Sequence, residues 1–141
     1  MRIRTALICS AFIALCAWSV AQKPAGVAVQ APRTAATSGK EMYLAYCATC
    51  HGKEGKGDGP AASALKVPPA DLTTLSKRNN GKFPSLEVAN TIGGRTGTPA
   101  HGSKEMPVWG PVFLKMEHQH ESGVRLRVAN LTEYIKSLQQ K

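Results

Sequence analysis

The sequence lacks the features of a polytopic membrane protein, a disulfide scaffold or a repeat protein. Its one long apolar run covers residues 6–20, which excludes a polytopic membrane protein. Four cysteines are too few and too unevenly spaced for a disulfide scaffold. We find no internal repeat and no convincing strand pattern. The 141 residues include 13 glycines and 9 prolines, which predicts one small domain with long loops.

The N-terminus has the pattern of a secretory signal peptide. Two arginines precede the apolar run, and the sequence SVA at positions 19–21 has the small residues of a cleavage site. The run is shorter than the roughly 18 residues of a spanning helix, so an uncleaved anchor is the alternative. Residues 22–37 show no periodicity, which predicts a flexible arm. We therefore expect a signal peptide over 1–21, periplasmic export as a soluble protein, and a folded domain over 38–141.

Three segments have helical patterns. A short helix is predicted after Ser38, a candidate N-cap, and it ends near Cys47. Residues 86–92 predict another helix, closed by the glycine pair that follows them. The apolar steps of four and three along residues 124–138 predict the longest helix. Residues 51–71 are rich in glycine and proline, which predicts a loop.

The motif Cys47-Ala48-Thr49-Cys50-His51 carries the chemistry. Two thiols three positions apart at a helix end can both bond to one planar group, and the imidazole of the next residue approaches that group from the same side. This suits a haem held by two thioether bonds, with His51 on the iron. A redox disulfide and half of a zinc site are the alternatives. The missing βαβ pattern argues against the first, and the missing second Cys/His pair argues against the second.

Three methionines remain for the other axial position once the N-terminal one is removed. Met42 lies in the helix before the motif, on a different face from Cys47. Met106 follows a glycine-rich loop and precedes a proline that stiffens the backbone, so its thioether can wrap to the opposite haem face. Met116 lies in a polar stretch typical of a loop. We expect Met106 on the iron, with Met116, a histidine or an open position as alternatives.

From about residue 38 onwards the chain resembles a class I, monohaem c-type cytochrome. The resemblance rests on four features of the sequence, namely Gly39 and Tyr43 before CATCHG, PPADLT at 68–73, Met106-Pro107, and LTEYI at 131–135. It implies an all-α, small cytochrome c fold with a few short helices and long loops around one covalently bound haem c. Because Gly39 has no Cβ, Leu131 and Tyr134 are expected to approach the first helix closely.

The resemblance also implies partners for the haem and its histidine. A prolyl carbonyl after the motif is expected to accept the N–H of His51, and Pro60 matches better than Pro69. Trp109 and Arg95 are candidate donors to the haem propionates. Packing against the haem edge is the alternative role of Trp109, and that of Arg95 is a solvated loop charge. Tyrosine 46 is expected to line the haem pocket.

With His51 on one side of the iron and Met106 on the other, no coordination position remains for a substrate. The haem is then limited to one-electron exchange. We therefore expect an electron carrier between respiratory redox partners, not an enzyme. A haem subunit of a dehydrogenase or sulfur-compound oxidase complex is the alternative. The chain contains no acid/base pair or nucleophilic constellation, which argues against autonomous catalysis and a small-molecule substrate. A third hypothesis, a gas or ligand sensor, needs a weak or vacant axial position, and the Met106-Pro107 pair argues against it.

Basic residues outnumber acidic ones by 18 to 9. The excess lies in residues 61–100, which carry five cations, Lys66, Lys77, Arg78, Lys82 and Arg95. An exported protein meets little nucleic acid, so the charge predicts a docking surface for redox partner proteins, a membrane oxidase or reductase among them. Contact of the chain itself with a membrane is expected only if the N-terminal segment stays uncleaved.

Overall fold

A computed structural model describes residues 31–95 and 106–140. Within these two ranges the chain is all-helical and contains no strand, which confirms the predicted fold class. Its six α-helices are α1 Gly39–Tyr46, α2 Ala48–His51, α3 Leu75–Arg78, α4 Ser85–Gly93, α5 Trp109–Met116 and α6 Glu121–Ser137. Two short 3-10 helices, Ala62–Ala64 and Leu72–Thr74, lie in the long connection between α2 and α3. None of the helices in the described part is long and apolar enough to cross a membrane.

The three predicted helices are present, each with bounds within three residues of the predicted ones. The Ser38 hydroxyl accepts a hydrogen bond from the backbone N–H of Glu41 (3.2 Å), which confirms the N-cap of α1. Helix α4 ends at Gly94, which adopts the left-handed conformation with φ 72°. Helix α6, with 17 residues, begins three residues before the predicted C-terminal pattern and ends at Ser137, so that Leu138 is its C-cap. The predicted signal peptide, residues 1–21, lies outside the described residues.

Helix α5 was not predicted, because Gly110 and Pro111 suggest a loop at the sequence level. Both residues fall in its first turn, where a proline is tolerated since the N–H groups there have no partner within the helix. Phe113, one turn further on, is fully buried. Met116, which the polar pattern placed in a loop, is the last residue of α5.

The core forms where α6 crosses the other helices. It consists of apolar side chains from the helices and from the 3-10 turn before α3, including Met42, Tyr43, Leu72, Ile92, Phe113, Leu131 and Ile135. At Gly39 the backbones of α1 and α6 come so close that a Cβ would overlap the carbonyl oxygen of Asn130 and crowd Tyr134. The predicted approach of Tyr134 is confirmed, and Leu131 lies in the core beside it.

The predicted arm, residues 22–37, is held against the domain over its last part. The carbonyl oxygen of Thr34 accepts from Arg127 (2.9 Å) and that of Ala36 from Asn130 (2.9 Å). These contacts join residues 34 and 36 to α6, and residues 22–30 of the predicted arm lie outside the described residues. The atoms of this segment that accept the hydrogen bonds are main-chain carbonyl oxygens. Amino-acid composition therefore does not predict the contact.

Substituting Gly39 by alanine should destabilise the domain by about 1–3 kcal/mol, because the added methyl group meets the backbone of α6 and cannot be accommodated without moving a helix. The matched control is Gly93→Ala in α4, where a Cβ comes no closer than 4.0 Å to the Arg95 side chain. There alanine should be neutral or stabilise by about 0.5 kcal/mol. Denaturant unfolding followed by circular dichroism measures both variants, and equal effects would contradict the close contact.

Candidate haem site

The cysteines and the histidine of the motif lie on one helical turn. The backbone N–H groups of Cys50 and His51 both donate to the carbonyl oxygen of Cys47, at 3.1 and 2.9 Å. Residues three and four positions apart on such a turn share a face. The turn continues α1, since the N–H of Cys47 donates to the carbonyl oxygen of Tyr43 (2.9 Å). The backbone therefore presents two thiols and one imidazole to the same side.

This side faces a cavity of about 440 Å³, within the roughly 300–1,000 Å³ of cofactor sites. The cavity lies between the motif, α3, α4, α5 and α6, and Cys47, His51, Met106 and Trp109 line it. The same four residues also line a smaller pocket of about 60 Å³, to which Cys50 and Tyr46 belong. The structure thus brings together both cysteines, His51, Met106 and Trp109, and it places Tyr46 in the pocket wall.

His51 is buried, and its ring has a defined partner. Its Nδ1 atom lies 3.0 Å from the carbonyl oxygen of Ala70. Because a carbonyl oxygen can only accept, Nδ1 carries the proton, and the lone pair of the neutral ring is at Nε2. Desolvation by burial lowers the pKa of His51, and the hydrogen bond to Ala70 opposes this shift. The neutral form that a metal ligand requires is therefore favoured at pH 7.

The expectation that Pro60 supplies this carbonyl is wrong. Pro60 is exposed and lines neither pocket. The N–H of Ala61 donates to the carbonyl oxygen of Thr49 (2.9 Å), which holds the chain at Pro60 along the motif backbone. The carbonyl that reaches the imidazole belongs to Ala70, the residue after the competing candidate Pro69.

The position of Ala70 is set by the residues that follow it. The Asp71 carboxylate accepts from the Thr73 backbone N–H (2.8 Å) and from its hydroxyl (2.6 Å). The Thr73 hydroxyl is the main cause of the lowered pKa of Asp71. The N–H of Leu72 donates to the carbonyl oxygen of Gly55 (2.7 Å), which joins this turn to the loop after the motif.

Burial also affects the thiol that begins the motif. It raises the pKa of Cys47 to about 12, with a smaller contribution from the nearby Cys50. Cys47 is therefore a protonated thiol at neutral pH before any modification. Both cysteines are free, and no disulfide joins them.

Arg95 does not lie at this cavity. It is exposed and lines a separate groove between α4, α5 and α6, so the structure does not bring it together with the motif, and its surroundings fit the alternative of a solvated charge. Arg78 lines the main cavity instead and donates from Nη2 to the carbonyl oxygen of Asp71 (2.7 Å). Sequence reasoning assigned Arg78 only to the docking surface, because α3, with 4 residues, is too short to show which side faces the core.

Among the three methionines after the first residue, Met106 alone lines the cavity. Met42 is fully buried in the core, with its Sδ atom 3.6 Å from Arg127. Met116 packs against the core, with its Sδ atom 3.8 Å from the Tyr46 hydroxyl. Trp109, which also lines the cavity, stacks on Tyr46 with 4.9 Å between ring centroids.

These features define a small helical protein with a site for covalently attached haem, since its donor set of two thiols and one neutral imidazole fits that group. The family model described as Cytochrome c matches residues 36–139, and the chain belongs to this family. No curated protein and no solved structure matches the chain. Cytochromes of this family bind haem c covalently and are typically electron carriers. The chain is therefore a haem-based electron carrier with redox proteins as partners.

Asp71→Asn should lower the stability of the protein modestly at neutral pH, because it weakens the turn that positions Ala70. The folded-state pKa of Asp71 lies below its ordinary value, so its contribution is full above about pH 4 and is lost as the pH falls through the folded pKa. The difference in melting temperature between wild type and variant should therefore shrink on acidification below about pH 4. A difference that is independent of pH would contradict this role.

Proposed function

We propose that this protein is an exported one-electron carrier whose haem is attached through Cys47 and Cys50 and ligated by His51 and Met106. One observation carries the proposal: Cys47, Cys50, His51 and Met106 all line a single pocket. Residues that are distant in sequence meet there, as ligation from two sides of a flat group requires.

Each of these residues has a distinct role. Cys47 and Cys50 supply the sulfur atoms of two thioether bonds. The Nδ1 proton of His51 is held by Ala70, so Nε2 is the atom that binds iron. The Met106 thioether, on a backbone stiffened by Pro107, would be the second protein ligand of the iron. A haem bound there would supply one-electron exchange between ferric and ferrous iron, and a thioether ligand would favour the ferrous state.

Arg78 is the proposed partner of the haem carboxylates in place of Arg95. Its guanidinium group has five N–H donors in a planar fork and gives one to the Asp71 carbonyl oxygen. The others can meet a carboxylate at the cavity mouth. Trp109, which lines the same cavity, has one N–H to offer.

The proposal includes export to the periplasm. It rests on the N-terminal sequence, in which basic residues, an apolar run and a small-residue cleavage site follow one another over residues 1–21. Residues 22–37 then lead into the domain, 38–141. Because protein ligands occupy both axial positions, the carrier has no site for a small-molecule substrate, and its partners are respiratory redox proteins.

The proposed docking charge lies next to the cavity. Lys77 and Lys82 are exposed and flank Arg78 and Asn79, which line the cavity mouth. A partner that approaches the haem from this side therefore meets positive charge. Charges of this kind raise the association rate more than the affinity, which suits a carrier that must leave quickly.

Met106→Ala should leave the haem covalently bound and abolish the sulfur-to-iron charge-transfer band. It should also lower the reduction potential and allow cyanide to bind readily, because an axial position opens. Met116→Ala is the matched control and should leave the spectrum unchanged, since Met116 lines neither pocket. Absorption spectroscopy and potentiometry measure both variants. Loss of the band in Met116→Ala but not in Met106→Ala would refute the assignment.

Changing Lys77 and Lys82 together to glutamate should slow oxidation by the ferricyanide anion roughly three- to tenfold at low ionic strength. The loss should vanish at high salt, where the Debye length falls to about 3 Å. Oxidation by a cationic cobalt(III) complex should accelerate instead. The control is the double variant in which Lys40 and Lys136 are changed to glutamate. It has the same net charge, and neither residue lines a pocket of the haem site. Equal effects of the two pairs in stopped-flow would contradict a local docking surface.

A further inference from the structure

The irregular segment before α1 is bound to the domain through its main chain. Three alternate carbonyl oxygens accept hydrogen bonds from side chains of α1 and α6, namely Pro32 from Tyr46 (2.6 Å), Thr34 from Arg127 (2.9 Å) and Ala36 from Asn130 (2.9 Å). Residues 32–36 are called the strap below. Because the acceptors are main-chain atoms, the strap is held with little dependence on its own side chains, Thr34 excepted.

The side chain of Thr34 completes a directed chain of hydrogen bonds. Its Oγ1 atom lies 3.1 Å from Arg127 Nη1 and 2.7 Å from the Tyr46 hydroxyl. Tyr46 has a single hydroxyl proton, and the carbonyl oxygen of Pro32 can only accept. Tyr46 therefore donates to Pro32 and accepts from Thr34, which accepts from Arg127. Hydrogen bonds aligned in one direction polarise and strengthen one another.

Arg127 anchors this chain of hydrogen bonds in the domain. Its side chain is buried, and its Nε atom donates to the Glu117 carboxylate (2.6 Å). Its guanidinium carbon lies 5.7 Å from the centre of the Phe113 ring. The ion pair satisfies the buried charge, and two further N–H groups remain for the strap. The strap is thus attached to a rigid part of the core.

Tyr46, at the end of this chain of hydrogen bonds opposite Arg127, also belongs to the wall of the haem site. The ring of Tyr46 stacks on Trp109, with 4.9 Å between centroids and 30° between planes. Phe113 packs on the same indole at 5.7 Å. Tyr46 and Trp109 line the pocket that also contains Met106. The Tyr46 hydroxyl therefore holds the strap while its ring forms part of the pocket wall.

We propose that the strap positions the cavity wall formed by Tyr46 and Trp109, with Tyr46 as the positioning residue that transmits its docking. A docked strap holds the indole in place, and a released strap allows it to move and shifts the reduction potential. The inference rests on the proposed function only for the location of the haem beside Trp109.

The test uses two conservative variants of the full chain. Thr34→Val deletes the hydroxyl that joins Arg127 to Tyr46, and Tyr46→Phe keeps the stacked ring but removes its hydroxyl. Trypsin cleavage after Arg33, inside the strap, requires the strap to leave the domain. Cleavage at this bond should accelerate about fivefold in both variants, as the loss of one hydrogen bond predicts.

Two controls leave these contacts intact. Pro32→Ala keeps the carbonyl oxygen that Tyr46 binds, and Tyr134→Phe removes a hydroxyl from a ring that packs on Tyr43. Both should be cleaved after Arg33 at the wild-type rate. Thr34 lies in the strap outside the core, so Thr34→Val remains a folded variant even if Tyr46→Phe does not.

The positioning role is read from the indole and the haem. The Trp109 indole N–H resonance of the reduced protein, assigned with Trp109→Phe, should shift in Thr34→Val and Tyr46→Phe and stay unchanged in the controls. The reduction potential should move in the same two variants. Wild-type cleavage rates, or faster cleavage with an unchanged indole resonance and potential, would overturn the inference. The cleavage and the resonance do not depend on Met106 as the iron ligand, so failure of the proposed function remains distinguishable.

Discussion

The hydrogen bond from His51 Nδ1 to the carbonyl oxygen of Ala70 is the contact on which the site depends. It requires the chain to return to the imidazole after a long loop, and the bond from Leu72 to Gly55 closes that loop. It also fixes the tautomer, because a carbonyl oxygen can only accept. A single contact therefore sets both the path of the loop and the atom that the ring offers to iron.

The other elements place side chains around this imidazole. The close approach of α1 and α6 at Gly39 fixes the helix that leads into the motif, and α6 supplies Ile135 to the cavity. Met106 and Trp109 come from a different part of the chain and line the same space. This arrangement brings His51 and Met106 to the walls of one cavity, as the proposed ligation of iron from two sides requires. It suits the electron carriage that the family performs.

Local features could be predicted from the sequence, and long-range loop paths could not. Cys47 and His51 were placed correctly on one side because a single turn relates them. Ala70 was missed because backbone hydrogen bonds between distant loops decide which carbonyl reaches the ring. Arg78 and Arg95 are both cations near helix ends, and nothing local distinguishes the one that faces the cavity. The strap was missed because its acceptors are main-chain carbonyl oxygens, which every sequence has.

The most direct test of this account is the mass of one peptide from the purified holoprotein. Trypsin cleavage after Lys40 and Lys53 releases residues 41–53, which contain the whole motif. The account predicts that this peptide carries the added mass of one haem and has no thiol that an alkylating reagent can modify. Recovery of the peptide without haem, with two modifiable thiols or with a disulfide between Cys47 and Cys50, would contradict it.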